Sequence, residues 1–201
     1  MRGRLIGALA AGAALIASVV MSAPATAVPA TWTVTPGGAF TGTASTTVLK
    51  IQESGVQLTC RSAGARGTAK SGSGLSNPLA TLPAGGVTFN TCSGPFGLTF
   101  TVTHVGTWNL NGSTYSAGVT TGTLTNINAN INGPGCQASV TGTVAATYTN
   151  STHVLAVVPN FTLLINFVSA SNNCLGLIVQ GQHASFNGAF TINPAQTITS
   201  P

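Results

Sequence analysis

Very few side chains in this sequence can exchange a proton or hold a metal. Glu53 is the sole carboxylic side chain, and beside it stand three histidines, His104, His153 and His183, and four cysteines, Cys60, Cys92, Cys136 and Cys174. Glycoside hydrolysis by paired carboxylates needs two such groups, and Glu53 has no second. A Ser-His-acid triad would have to use Glu53, and no G-x-S-x-G turn presents a serine to it. The histidines are not at metal-ligand spacings and no C-x-x-C occurs. Glycine-rich Ser71–Gly74 lacks the Lys and the helix that follow in a phosphate-binding loop. The sequence therefore assigns no catalytic, cofactor-binding or metal-binding residue, and the expectation is a non-enzyme without a cofactor.

What remains are side chains that bind without reacting. Trp32, Trp108 and Tyr115 offer faces for stacking on a sugar ring or another small ligand, although Trp32 and Trp108 sit within apolar alternation, which is the pattern of a core. The basic residues Lys50, Arg61, Arg66 and Lys70 fall between positions 50 and 70, and no charged residue follows Ser71. Four charges without interleaved aromatics read as a solvated edge or loop, so no nucleic-acid partner is expected. Against Glu53 they leave a mature charge of four minus one, +3. So little charge gives little repulsion between copies, which makes self-association or adhesion to a cell-wall polymer the expected partnerships.

Arg2 and Arg4 precede an apolar run from Leu5 to Met21, and Ala23-Pro24-Ala25-Thr26-Ala27 supplies an A-x-A site. This three-part pattern predicts a secretory signal over 1–27, cleaved after Ala27. The run is short and Ala/Gly-rich for a membrane span, and membrane residence is not expected. No cysteine follows the site and the sequence closes on Ser200-Pro201, so the mature protein is expected to be secreted, free or associated with the wall. Residues 28–201 are enough for a single domain. Export and an even cysteine count predict two disulfides. Three pairings are possible; Cys60–Cys92 and Cys136–Cys174 are expected, because each joins a strand end to the next cysteine and both pairs precede a Gly-Leu strand. That order hints at a weak internal duplication.

The elements that must position these residues are strands. Thr31–Thr35 alternates and stops at Pro36-Gly37-Gly38. Val48–Gln52 and Val56–Cys60 flank a hairpin loop, Glu53-Ser54-Gly55. The stretch from Arg61 to Pro83 reads as irregular and loop-like. Val87–Cys92 leads to a strand with Phe96, Leu98, Phe100 and Val102 on its buried face, and Asn111-Gly112 reads as a tight turn after Trp108. Thr121–Asn132 and Cys136–Thr149 read as one long hairpin turned by Gly133-Pro134-Gly135, with Cys136, Ala138, Val140, Gly142, Val144, Ala146 and Tyr148 on one side. Strands this long call for a coil or a bulge, expected near Gly142. His153–Val158, Phe161–Val168, Cys174–Val179 and Ser185–Ile192 complete the set. The fold class is all-β, an antiparallel sandwich or barrel of about 10–12 strands.

Taken together, Thr31-Trp32-Thr33-Val34-Thr35-Pro36-Gly37-Gly38, Leu58-Thr59-Cys60, Gly97-Leu98-Thr99-Phe100, Gly133-Pro134-Gly135-Cys136, Ala146-Thr147-Tyr148-Thr149-Asn150 and Pro194-Ala195-Gln196-Thr197-Ile198-Thr199 resemble secreted β-rich proteins of actinomycete-type bacteria that have no assigned activity. The resemblance implies export and a β-domain and transfers no site residue. The functional expectation is a secreted, non-enzymatic β-domain that binds a surface, a wall component or a small ligand. A hydrolase with an unrecognised site and a self-assembling envelope or pore-forming subunit are the alternatives.

Overall fold

The computed structural model describes residues 31–201, so the signal segment and its cleavage site lie outside the described residues. After β1 (Trp32–Thr35), the chain builds eight staves in succession. The first is β2 (Gly38–Ala44) continued by β3 (Thr47–Ile51), and the second is β4 (Gln57–Ala69). A short β5 (Gly72–Leu75) leaves the wall before β6 (Ala80–Leu82) and β7 (Val87–Ser93) form the third stave. The fourth is β8 (Thr99–His104) with β9 (Trp108–Ser116), the fifth β10 (Val119–Gly133) and the sixth β11 (Cys136–Thr149). The seventh is β12 (Val154–Val158) with β13 (Leu163–Asn173), the eighth β14 (His183–Asn193), and β15 (Thr197–Thr199) ends the chain.

Every stave pairs antiparallel with the one before it, from β2–β4 and β3–β4 through β4–β7, β6–β9, β9–β10, β10–β11, β11–β13 and β12–β14. The last then pairs with the first, Phe186 opposite Leu49 and Ile192 opposite Gly42. The wall is therefore a closed, eight-stave, up-and-down barrel, which decides between sandwich and barrel. Closure leaves no long open edge in the ring. Four staves are each broken into two, so the barrel wall holds twelve strands, within the expected 10–12, and β1, β5 and β15 outside it bring the total to fifteen. At one end β1, paired with β15 on one side and β5 on the other, forms a small separate sheet that serves as a lid.

The alternation of side chains divides wall from lumen. On β11 the expected face, Cys136, Ala138, Val140, Val144, Ala146 and Tyr148, is buried inside. On β10, Thr120 and Leu124 point inward, and then Ile127, Ala129 and Ile131 do. The change from even to odd positions is made by a bulge, two residues (Thr125, Asn126) facing one on β11, with Asn126 at φ 59°. The expected bulge is present; the extra residue lies on β10, across from the neighbour of Gly142. Outward positions on these strands are Thr and Asn, such as Thr121, Asn130, Asn132, Thr141 and Thr143.

Four expectations need correction. Arg61–Ala69 is not a loop but the second half of β4, with Ala63, Ala65, Gly67 and Ala69 turned inward. Their smallness, which weakens any strand signal, makes room for a large partner: a Cβ on Gly67 would stand 2.7 Å from the Phe40 ring. Asn111-Gly112 is not the turn but lies inside β9, and the chain reverses at Ala117-Gly118. Gly112 is needed for space, since a Cβ there would lie 2.5 Å from Trp32. Phe96 is not on a buried strand face; Gly94 N–H donates to Leu98 O (2.9 Å), closing a turn that leaves Phe96 85% exposed at φ 59°. Cys174–Val179 is not a strand, because the β11–β13 ladder ends at the Cys136–Asn173 pair and the chain turns through Cys174 and Leu175, both at φ 56°.

Both expected disulfides are formed. Cys60 and Cys92 are direct cross-strand partners on β4 and β7, and Cys136 joins Cys174. Both lie at the end of the barrel opposite the lid, among the β3–β4, β7–β8, β10–β11 and β13–β14 connections.

Candidate functional site

Inside an eight-strand barrel there is room either for a filled core or for one small ligand. Here large rings occupy the middle: Phe40 from β2, Trp108 from β9, and Phe186 and Phe190 from β14 line one small cavity of about 20 Å³, with Phe89 edge-on to Phe186 at 5.9 Å. Toward the disulfide end a second cavity of about 40 Å³ lies between Trp108, Phe186, Ile127, Ile131 and Leu58. A third, of about 20 Å³, lies beside Cys136 and Cys174.

A fourth cavity, about 70 Å³ and larger than these three, lies under the lid. Its walls are inward residues of the barrel, Phe40, Ala80, Leu110, Ala146, Leu155 and Ile192, and its roof is Val34 of β1 with Gln196 and Ile198 at β15. The exposed lining is almost wholly apolar and carries no charged side chain. Asn111, Thr123 and Thr147 belong to the outward alternation of their strands, which leaves Thr120, Tyr148 and Gln196 as the inward polar residues.

The lid is fastened by paired hydrogen bonds. Tyr148 Oη donates to Gln196 O (2.8 Å) and accepts from Gln196 N–H (3.2 Å). Burial raises the Tyr148 phenol above its ordinary pKa, against the opposing pull of the bond to the Gln196 carbonyl, so the hydroxyl remains a donor at neutral pH. The Asn150 amide both donates to Ile198 O (2.9 Å) and accepts from Ile198 N–H (3.0 Å). The Gln196 side chain is also occupied, accepting from Gly37 N–H (2.9 Å) and donating to Pro194 O (3.0 Å). Trp32, fully buried on Gly112, anchors the other lid strand, and Asn77 clamps that point by a two-way bond with Gly112, both at 2.8 Å. One inward polar group is left over: the Thr120 hydroxyl, on a residue only 5% exposed, has no hydrogen-bond partner. The Thr47 hydroxyl, beside the second cavity, is in the same condition.

The residues singled out from the sequence are distributed as follows. Trp32 and Trp108 are buried, which removes them from stacking on an external ring; Trp108 instead walls the inner cavities and donates Nε1–H to Asn128 O (3.3 Å). Tyr115 is half-buried on β9, opposite Thr120, and lines none of the four cavities. The basic residues stand outward on β3 and β4 or just beyond, a wall face rather than a loop. Among the described residues no group of three or more His, Cys, Asp or Glu side chains forms a metal-binding cluster.

His104 is buried, accepts Val87 N–H at Nδ1 (2.9 Å) and lies on Trp108 with ring centroids 4.1 Å apart. Burial lowers its pKa, keeping the ring neutral as a strut between β8 and β7. Glu53 meets His183, a pairing the sequence did not single out. Both carboxylate oxygens accept His183 N–H at 3.0 Å, and Oε1 lies 3.1 Å from Nδ1. The backbone bond from His183 is the main cause holding the Glu53 pKa below its ordinary value. Both side chains are about half exposed and line none of the four cavities.

Set against known protein families, curated proteins and solved structures, the chain matches none. Function must therefore be argued from the lumen itself.

Proposed function

We propose that this chain is an exported, non-enzymatic binding protein that holds a small apolar molecule inside its barrel, beneath the lid. The observation that carries the reading is the cavity of about 70 Å³, lined by apolar residues from the whole circumference and roofed by strands from both ends of the described chain. A concave apolar site with a few placed polar groups is the usual form of a small-ligand pocket, and at about 70 Å³ this one admits only an atom or a molecule of a few heavy atoms. Export is supported by the three-part leader and by two disulfides. Thr and Asn on the outer faces of β10 and β11 do not make the outward apolar band of a membrane barrel, which weighs against the pore-forming alternative.

A ligand that binds only the folded state raises the melting temperature by mass action. Equilibrating the mature protein with xenon under increasing pressure, an apolar atom small enough for a cavity of about 70 Å³, is expected to raise Tm in a saturable manner. Ala146→Phe, which fills the cavity from β11, is expected to abolish the shift; Ala146→Leu, a milder change, to weaken it. Absence of any shift up to the highest pressure applied, or a shift unchanged in both variants, would overturn the proposal. N-terminal sequencing of protein from culture medium should begin at Val28.

A second reading, a hydrolase, is favoured by one observation, the Glu53–His183 pair. Its place on an exposed hairpin, away from the cavities, supports a structural role. A hydrolytic activity lost on Glu53→Gln with unchanged melting would establish the enzyme instead.

A further inference from the structure

We infer that the outer face of the seventh stave is a self-association surface, on which a second copy of this chain docks across a two-fold axis. Of the seven large apolar side chains exposed among the described residues, six fall between positions 158 and 179: Val158, Phe161, Leu164, Phe167, Leu175 and Val179. The ladder registers place them in one strip. Val158 stands beside Ala145 at the end of β12, and Phe161 is in the connection to β13. Leu164 alternates with the inward Leu163 and Ile165, and a bulge at Asn166 brings Phe167 to the same outer face. The ladder from β13 to β14 is only two pairs long, so the chain returning from Cys174 lies alongside β13 instead. It is held by Gly181 N–H donating to Ile165 O (2.8 Å) and Ile165 N–H donating to Gln182 O (2.9 Å), which brings Val179 level with Phe167. Leu175 closes the strip at the disulfide end. On the neighbouring β10 and β11 the outward positions are Thr and Asn, so this strip is a local departure, and a contiguous exposed apolar patch marks an interaction site.

Charge and area select the occupant. No charged residue occurs after Lys70, so two copies meet here with almost no like-charge repulsion. The one carboxylate at the border is that of Glu53, held at His183 opposite Leu164, and it would oppose an anionic lipid surface. The six side chains together expose on the order of 500 Å². With Asn160, Asn166 and Ser169 as a polar rim, the face approaches the ~800 Å² per partner of a standard interface and suits a weak dimer. Because both copies use the same strip, a two-fold axis closes the assembly at two. The strip lies on the other side of the wall from the lumen, and the inference stands whether or not the lumen holds a ligand.

Sedimentation equilibrium of the mature protein from about 1 μM to about 1 mM is expected to show a monomer–dimer equilibrium with Kd on the order of 10–100 μM. Phe167→Thr and Leu164→Thr, which place on the strip the outward residue type of the neighbouring staves, should each weaken dimerisation at least about ten-fold. Their Tm at about 1 μM, where the protein is monomeric, should stay within about 3 °C of wild type. Thr121→Ala, on the outer face of β10, should leave dimerisation unchanged. A ten-fold rise in salt should weaken it by less than about two-fold, because apolar contact rather than charge holds the pair. A protein monomeric up to about 1 mM, a dimer indifferent to both strip substitutions, or assembly running past two copies would overturn the inference. So would flotation of the monomer on phosphatidylcholine vesicles that is lost in Phe167→Thr, which would assign the strip to lipid.

Discussion

Gly112→Ala separates two effects of opposite sign. Gly112 is not in the left-handed region, so removing backbone freedom from the unfolded chain would by itself stabilise by about 0.4–1 kcal/mol. The new Cβ would, however, stand 2.5, 2.7 and 2.7 Å from three atoms of the Trp32 ring, which is 1% exposed and cannot swing into water without lifting β1 from the barrel. Overpacking of this kind costs about 1–3 kcal/mol, so the clash should win, leaving a net loss of about 1–2 kcal/mol. In a domain of this size each kcal/mol moves Tm by about 2–4 °C, giving an expected drop of about 2–8 °C in a thermal melt followed by circular dichroism. The decisive measurement is the same substitution in a Trp32→Ala background, where the ring is gone and Gly112→Ala should become neutral or stabilising. Equal destabilisation in both backgrounds would refute the packing argument, and so would stabilisation in the wild type.

Replacing Cys60 and Cys92 together by Ala opens a loop of about 33 residues, with an expected cost of about 3.7 kcal/mol in the chain-entropy model, read from urea melts of oxidised protein. Tyr148→Phe leaves the backbone N–H and C=O of Gln196 without their partner; a loss of about 1–3 kcal/mol is expected in urea melts, with faster hydrogen exchange at Gln196 and Ile198 than at β11. Glu53 has a folded pKa below its unfolded value, so its contribution is present above the ordinary Glu value of 4.5 and is lost as pH falls through the lowered one. Glu53→Gln should therefore flatten the acid limb of the Tm–pH curve below pH 4.5, and an unchanged acid limb would show that the pair contributes nothing.

Much of the wall was legible because β-branched residues alternate with Thr and Asn there. The β11 face, the β10–β11 hairpin, the Glu53–Gly55 turn and both disulfides follow from period, turn chemistry and cysteine order. The second half of β4 was obscured because its inward residues are Ala and Gly, chosen to seat Phe40 from a neighbouring strand, and such complementarity is not local. Gly112 misled for the same reason: its partner, Trp32, lies 80 positions earlier. The candidate site was not legible at all. Its walls come from separate strands between Val34 and Ile198, and Thr120 and Thr47 are two threonines among many until the pairing of every neighbour shows that their hydroxyls are unmatched. Glu53 was conspicuous as the single carboxylate, but nothing local tied it to His183, 130 residues away.

The pairing of β1 with β15 imposes an order in time. Consecutive staves are joined by short connections and can meet as each emerges, whereas the closure of β14 on β2 and then the pairing of Thr33 with Thr199 both wait for the last residues of the chain. The wall closes with β14, ending at Asn193, and the roof needs β15, Thr197–Thr199, just beyond it, so the lumen can exist before its roof is fastened. Under the proposed binding role, an apolar molecule entering then would meet no Tyr148–Gln196 or Asn150–Ile198 fastening, and the lid would close over it afterwards. Under that role, loading during folding and release from the folded state would be separate processes, the first set by how fast the chain is completed and the second by how often the lid lets go.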